Sequence, residues 1–296
     1  MKKFITRVTV FLTIPVFAGI IFLAAFSSIV SSISKEYKLE PDISELYIGD
    51  SHIQCSVNDS LISGSKNLGH TSESFYFSYY KLKLIVEANP NIKKIYLGFS
   101  YHSLSDYYDD FITGEYSGSI SPDYFFILPL SEQINFVTRD PENFPSYIKS
   151  ILKSGIDNLS GGNKYTYTGK YLNRFKESSA SQFFMDKRLK FQYYRDNKLN
   201  EFSEINLRYL DEIIALCKSN NKELIIFNTP LHPYYRSKLP AEYINKFNSI
   251  TETYDLKVID LSSLSLEDDC YIPDGDHVSE KGSLLVTMEM IRIKNY

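Results

Sequence analysis

The sequence predicts a three-layer α/β/α domain with a mostly parallel sheet, preceded by one transmembrane helix. Three observations carry that expectation. An apolar run from about residue 8 to 33 follows Lys2, Lys3 and Arg7 and meets no charge until Lys35; a membrane-crossing helix needs about 20 such residues. Downstream, short apolar strands alternate with stretches of helical period, the pattern of a parallel sheet covered on both faces. Hydrophobic residues make up 43% and charged residues 23% of the chain, which excludes a wholly disordered polymer.

The N-terminal run competes with a cleaved secretory signal, whose apolar core would be shorter, about 7–15 residues, and would end at a small-x-small site. Here Phe26, Ile29, Val30 and Ile33 keep the run apolar past the small residues near Ala24, so an uncleaved anchor is expected over 1–35. The basic tip places the N-terminus inside and the domain over 36–296 outside, periplasmic or at the cell surface. Without Lys2, Lys3 and Arg7 the chain keeps 29 basic against 36 acidic residues. An acidic exported domain is not built to hug anionic lipid, and a broad nucleic-acid-binding face is not expected.

Residues 36–44, with Pro41, read as a linker. Leu46-Tyr47-Ile48 is a short strand running into Gly49-Asp50-Ser51-His52. A second short element precedes Asn67-Leu68-Gly69-His70. Tyr76, Tyr79, Tyr80 and Leu84 recur at helical spacing over 72–88, and Asn89-Pro90-Asn91 ends that helix. Residues 92–99 form a buried strand. The rhythm then lapses over about 101–198, which is rich in Tyr, Ser, Asn, Asp and Gly; it reads as an insertion that covers or edges a site, with one helix near 145–153 and a loop over 158–170. Its aromatics either line a groove for sugar rings or pack the insertion onto the core. From Ser203 the alternation resumes, with a helix carrying Ile205, Tyr209, Ile213 and Ile214, a strand at 223–228, a helix at 242–254, a strand at 256–261 and a closing helix at 279–294.

Two segments carry chemistry. Ser51 lies just after a strand, where doubly wound sheets place ligand sites, and its backbone N–H belongs to the same turn. Alone, Gly-Asp-Ser reads equally as a turn or a helix cap. Near the C-terminus, Asp274-Gly275-Asp276-His277 follows Asp268-Asp269-Cys270. A histidine is the usual base for a serine, and an i,i+3 aspartate can hold its tautomer. The acidic residues also raise calcium, but their spacing does not match an EF-hand loop, so no metal is expected. His52, His70 and His232 are candidates for substrate contact or structural support.

Together these segments resemble the SGNH/GDSL hydrolase superfamily. Gly49-Asp50-Ser51 is similar to its first block, which makes Ser51 the nucleophile, and Asp274-x-x-His277 to its last, which makes His277 the base and Asp274 its orienting partner. Asn67-Leu68-Gly69 stands where the family has an oxyanion-hole glycine, implying that Gly69 and Ser51 donate backbone N–H groups. The family's Gly-x-Asn-Asp is replaced by Gly98-Phe99-Ser100-Tyr101-His102; Ser100 or His102 could donate in place of the asparagine. The resemblance covers about 45–100 and 203–290. The anchor makes the chain most similar to the membrane-anchored branch related to polysaccharide O-acetyltransferases and teichoic-acid D-alanylation proteins.

The resemblance implies acyl-ester chemistry on a cell-surface or exported polysaccharide: O-acyl transfer through a serine acyl-enzyme, with a carbohydrate esterase or a non-catalytic glycan-binding or assembly protein as alternatives. It implies an acylated glycan or other acyl donor, a membrane-bound acyl-transfer partner and no cofactor. Of the three cysteines, Cys217 reads as core, and export would permit a Cys55–Cys270 disulfide.

Overall fold

The computed structural model describes residues 3–4, 11–17, 37–139, 145, 149, 152, 156, 168–173 and 178–294. Of the apolar run 8–33, only 11–17 are described, and they are helical. The rest of that run lies outside the described residues, as do most of the helix expected near 145–153 and most of the loop 158–170. Among the described residues no helix is long and apolar enough to cross a membrane.

Five strands, β1 (Glu45–Ile48), β2 (Ser65–Asn67), β3 (Lys94–Gly98), β6 (Glu223–Asn228) and β7 (Lys257–Asp260), form one sheet in the order β2-β1-β3-β6-β7. Every pairing is parallel, with Leu97 opposite both Ile48 and Ile226. Strands β4 (Tyr194–Arg195) and β5 (Lys198–Leu199) form a separate antiparallel hairpin. Period-two alternation sorts the side chains of the sheet into two cores. Leu46, Ile48, Ile95, Leu97 and Ile226 pack with residues of α2 (Phe75–Ala88), α6 (Glu204–Ser219) and α8 (Ala241–Thr253) on one face. Tyr47, Tyr96, Ile225 and Phe227 pack with residues of α1 (Ser51–Ser56) and α9 (Glu280–Lys294) on the other. The chain goes from β1 out to β2 and returns to β3 on the opposite side, so the winding switches between β1 and β3. Open parallel sheets bind ligands outside the carboxyl ends of the strands at such a switch.

The helix expected from residue 72 begins at Phe75, because Ser72 is left-handed, with φ 58°, and cannot continue a helix backwards. The region 101–198 holds regular structure that its sequence rhythm hides: α3 (Ser117–Tyr124), α4 (Leu130–Arg139) and α5 (Gln182–Tyr193). In α5 the apolar residues fall on both faces. Met185, Leu189 and Tyr193 are buried while Phe183 and Phe184 are exposed, which blurs the helical stripe. Cys55, Cys217 and Cys270 are all buried and none is in a disulfide, so the permitted Cys55–Cys270 bridge is not formed.

Candidate active site

The carboxyl end of β1 turns through Gly49, whose φ of 144° is open to glycine and to few other residues. A Cβ there would also come within 3.2 Å of the Gly98 Cα at the end of β3. The turn delivers Asp50 as the N-cap of α1, its Oδ1 accepting from His52 N at 2.9 Å. Ser51 is the first helical residue. Its N–H therefore has no partner within the helix and lies at the helix N-terminus beside its own hydroxyl.

From the other end of the chain, the loop before α9 brings His277 to Ser51. Ser51 Oγ and His277 Nε2 are 2.7 Å apart. On the far side of the ring, His277 Nδ1 is 2.9 Å from Asp274 Oδ2. Asp274 also accepts through Oδ1 from the backbone N–H groups of Asp276 and His277, both at 3.1 Å, so one carboxylate shapes the loop and orients the imidazole. Burial would raise the Asp274 carboxyl, but His277 and Arg188 outweigh it and hold it below the ordinary 3.8. A carboxylate accepts only, so the proton at Nδ1 faces Asp274 and leaves Nε2 free to take one from Ser51.

A buried cluster lies behind this line. The His52 ring sits between His277, with centroids 4.5 Å apart, and His102, at 4.2 Å. His52 Nδ1 is 3.0 Å from Thr229 Oγ1, and its Nε2 is 3.2 Å from Asp276 Oδ2. Asp276 Oδ2 also accepts from Arg188 Nε and Gln192 Nε2 on α5, each at 2.8 Å. His102 Nε2 is 2.7 Å from Asp50 Oδ2, which accepts from the Tyr108 hydroxyl too. Burial opposes the charge on Asp276, yet His52 and Arg188 hold it well below 3.8. Burial likewise opposes the charge on His52, and the carboxylates of Asp276 and Asp50 raise it above 6.5 all the same. His102 goes the other way: burial and the neighbouring His52 lower it. Two trios, Asp50-His52-His102 and His52-Asp276-His277, bring metal-ligating atoms within 4.8 Å of one another. Arg188 already places a positive charge on Asp276, and a cation there would be repelled by it.

The remaining candidates separate. Gly69 donates its N–H to Asn67 Oδ1 at 2.8 Å, so the amide expected in the oxyanion hole is committed to a neighbour. Asn67 is itself tied through Nδ2 to the carbonyls of Ile53 and Val57, closing the end of α1. Position 69 requires glycine for another reason: a Cβ would lie 2.5 Å from Gln54 N. Ser100 is buried; its backbone N–H donates to Ser103 Oγ at 3.2 Å, while its own hydroxyl makes no hydrogen bond among the described residues. His70 stands 3.4 Å from Asp123 and edge-on to Tyr124, and His232 caps α7 (Pro233–Ser237) through Nδ1. His232 N also donates to the Gly275 carbonyl at 2.9 Å, which ties α7 to the His277 loop. Arg188, Gln192, Tyr108 and Thr229 were not singled out from sequence. The usable signal was a buried-face stripe in α5 that mixes Arg188 and Gln192 with Met185 and Leu189, since charged groups inside a core need partners.

No family model and no curated protein matches the chain. Solved structures with similarity include one described as a "putative acylhydrolase" from Bacteroides fragilis NCTC 9343, at 12% identity over 85% of each chain and a TM-score of 0.36. Another is a "putative platelet activating factor" from Streptococcus pneumonia, at 12% identity over 94% of this chain and 98% of that one, TM-score 0.40. A GDSL-like lipase from Bacteroides thetaiotaomicron VPI-5482 shows 9% identity over 92% of this chain and 100% of its own, TM-score 0.38. Similarity at this level assigns no activity to this chain, and the functional reading rests on the site's geometry.

Proposed function

We propose that this chain performs acyl-ester chemistry through a serine acyl-enzyme of the SGNH/GDSL kind, transferring an O-acyl group to a cell-surface or exported polysaccharide. The observation that carries the chemistry is the line Ser51 Oγ, His277 Nε2, His277 Nδ1, Asp274 Oδ2, with steps of 2.7 and 2.9 Å. Ser51 Oγ attacks the acyl carbonyl carbon and its proton passes to His277 Nε2. The Ser51 N–H at the helix N-terminus faces the developing oxyanion. Collapse breaks the bond to the leaving oxygen, which takes the proton from His277. His277 then deprotonates an acceptor hydroxyl, which attacks the acyl-enzyme and releases Ser51; water in that place gives hydrolysis.

The exported location, the membrane anchor over 1–35 and a membrane-bound partner that supplies the acyl group belong to the same proposal. They are supported by the charge pattern and apolar run of the N-terminus. The test is intact-protein mass spectrometry after exposure to acylated glycans and small acyl esters. An acyl adduct mapped to Ser51 is expected in the wild type and absent in Ser51→Ala. Comparing acylated acceptor with free acid separates transfer from hydrolysis. Turnover retained in Ser51→Ala would remove the covalent route.

A further inference from the structure

The line from Ser51 to Asp274 leaves one degree of freedom open. The side-chain torsion that turns a histidine ring is broad, so a single bond at Nδ1 does not by itself aim Nε2. In this protein a second imidazole lies against the catalytic one. His52 is 2% exposed, and its two nitrogens face Thr229 Oγ1 at 3.0 Å and Asp276 Oδ2 at 3.2 Å. Asp276, 1% exposed, is fixed in turn by Arg188 and Gln192 from α5. His102 stacks on His52 as well, with ring centroids 4.2 Å apart.

We propose that His52 is a positioning residue for the His277 base: held by Thr229 and Asp276, it sets the tilt of the His277 ring so that Nε2 points at Ser51. The two rings meet at an interplanar angle of 47°, with centroids 4.5 Å apart, which is direct packing contact. His52 Nε2 approaches Asp276 Oδ2 at 3.2 Å as a close polar contact without hydrogen-bond geometry, and a ring flip would give up both that contact and the one to Thr229. The anchor of the arrangement is Arg188, so a helix of the 101–198 region reaches the base through three contacts: Arg188 to Asp276, Asp276 to His52, His52 to His277. Other contacts lay α5 along the same loop, because Ser181 N donates to the Pro273 carbonyl at 3.1 Å and a Cβ on Gly275 would strike Met185 Sδ at 2.4 Å. Misplacing a reacting group by about 1 Å can cost about 100-fold in rate.

This role rests on the acyl-enzyme reading, and the test keeps the two apart. The full chain is treated with a fluorophosphonate that alkylphosphonylates active serines, and its binding constant and maximal inactivation rate are measured separately. His52→Ala should lower the inactivation rate about 100-fold while the binding constant changes less than about twofold. His52→Phe, which keeps a flat ring against His277, should recover most of that loss; a merely structural loss would not follow ring shape. Asp276→Asn and Arg188→Lys should each cost about 10-fold in the same rate, a common size for a partner that orients a functional histidine. An unchanged inactivation rate in His52→Ala, or a loss confined to probe binding, overturns the proposal. Should His52→Ala fail to fold, an unchanged rate in both Asp276→Asn and Arg188→Lys overturns it equally. If the wild type takes no label, the acyl-enzyme reading fails, and a crystal structure of His52→Phe or Asp276→Asn decides the positioning role. His277 Nε2 beyond hydrogen-bond reach of Ser51 in Asp276→Asn supports it, and the wild-type geometry retained in Asp276→Asn overturns it.

Discussion

Two buried ionic clusters lie within this domain, and they are built differently. In the first, Lys81 Nζ donates to Glu73 and to the Leu68 carbonyl, and Glu73 accepts from Ser78 and Tyr124 as well. Both charged side chains are fully buried. Most of it comes from one stretch, 68–81, and every contact holds the turn between β2 and α2 in place. In the second, Asp50, Asp274 and Asp276 face His102, His277 and His52, with Arg188 as the fixed cation. Its members come from four separate segments of the chain. The first cluster has a partner for each charge and nothing to transfer. The second gathers titratable rings around a hydroxyl, the arrangement that proton transfer needs. Burial and pairing are common to both clusters; the kind of group and its access to a hydroxyl are what differ.

Variants should separate the two. Ser51→Ala is expected to lower acyl-enzyme formation by about 10⁴-fold or more, with the thermal midpoint unchanged, measured by adduct formation and calorimetry side by side. His277→Ala and Asp274→Asn should each cost about 10³–10⁴-fold, and the triple variant little more than Ser51→Ala, because one proton transfer unites the three. Multiplying losses would mean that they act independently.

Lys81→Met should do the opposite. It leaves Glu73 charged and buried without its cation, which costs about 3–5 kcal/mol of stability. Chemical denaturation measures this through the midpoint. The double variant Lys81→Met/Glu73→Gln should regain most of the loss, since removing both charges of a buried pair is often near neutral. Per folded molecule, Ser51 labelling in either variant should stay within about threefold of wild type. A drop as large as that of His277→Ala would place this cluster in the catalytic machinery and dissolve the contrast.

The cluster around Ser51 and His277 was legible only in part, and the reason is distance along the chain. Ser51 stands out because a strand end, Gly49 and a capping aspartate are all local, and Asp274 with His277 because three residues of one loop suffice to pair them. Asp276 lay in view between them and was weighed only with the other acidic residues as a calcium ligand, because its partners Arg188 and Gln192 are on a helix whose apolar residues face two ways. His102 was weighed as a donor to substrate; its place at Asp50 depends on how β1 and β3 end side by side. Gly69 was read as an oxyanion-hole amide, but its N–H is taken by Asn67 Oδ1, and what demands glycine there is the approach of a Cβ to Gln54. The sheet was easier, because strand β6 is a continuous apolar run between clear breaks, and 223–228 is the span observed. Long-range polar contacts leave no such period.

The smallest expected effect concerns pH, and it sharpens the same contrast. His52 has a folded value raised above 6.5: burial opposes its charge, and Asp276 and Asp50 overcome that. A raised group adds stability that is complete below 6.5 and is lost as pH rises through the folded value. Asp276 is held well below 3.8, against burial, by His52 and Arg188. A lowered carboxyl adds stability that is complete above 3.8 and is lost as pH falls through the folded value. Both contributions are therefore whole between 3.8 and 6.5. Replacing both groups, in His52→Phe/Asp276→Asn, removes them, so the stability difference from wild type should be greatest near pH 5, at about 1–3 kcal/mol, the usual size of a point variant's effect. It should shrink as the pH is raised past the folded value of His52 and shrink again in strong acid. Denaturant titrations at several pH values from 3 to 9 measure the difference directly. A difference that stays flat across that range would mean that the pair keeps one protonation state throughout and that its contribution is one of packing and fixed charge rather than of titration.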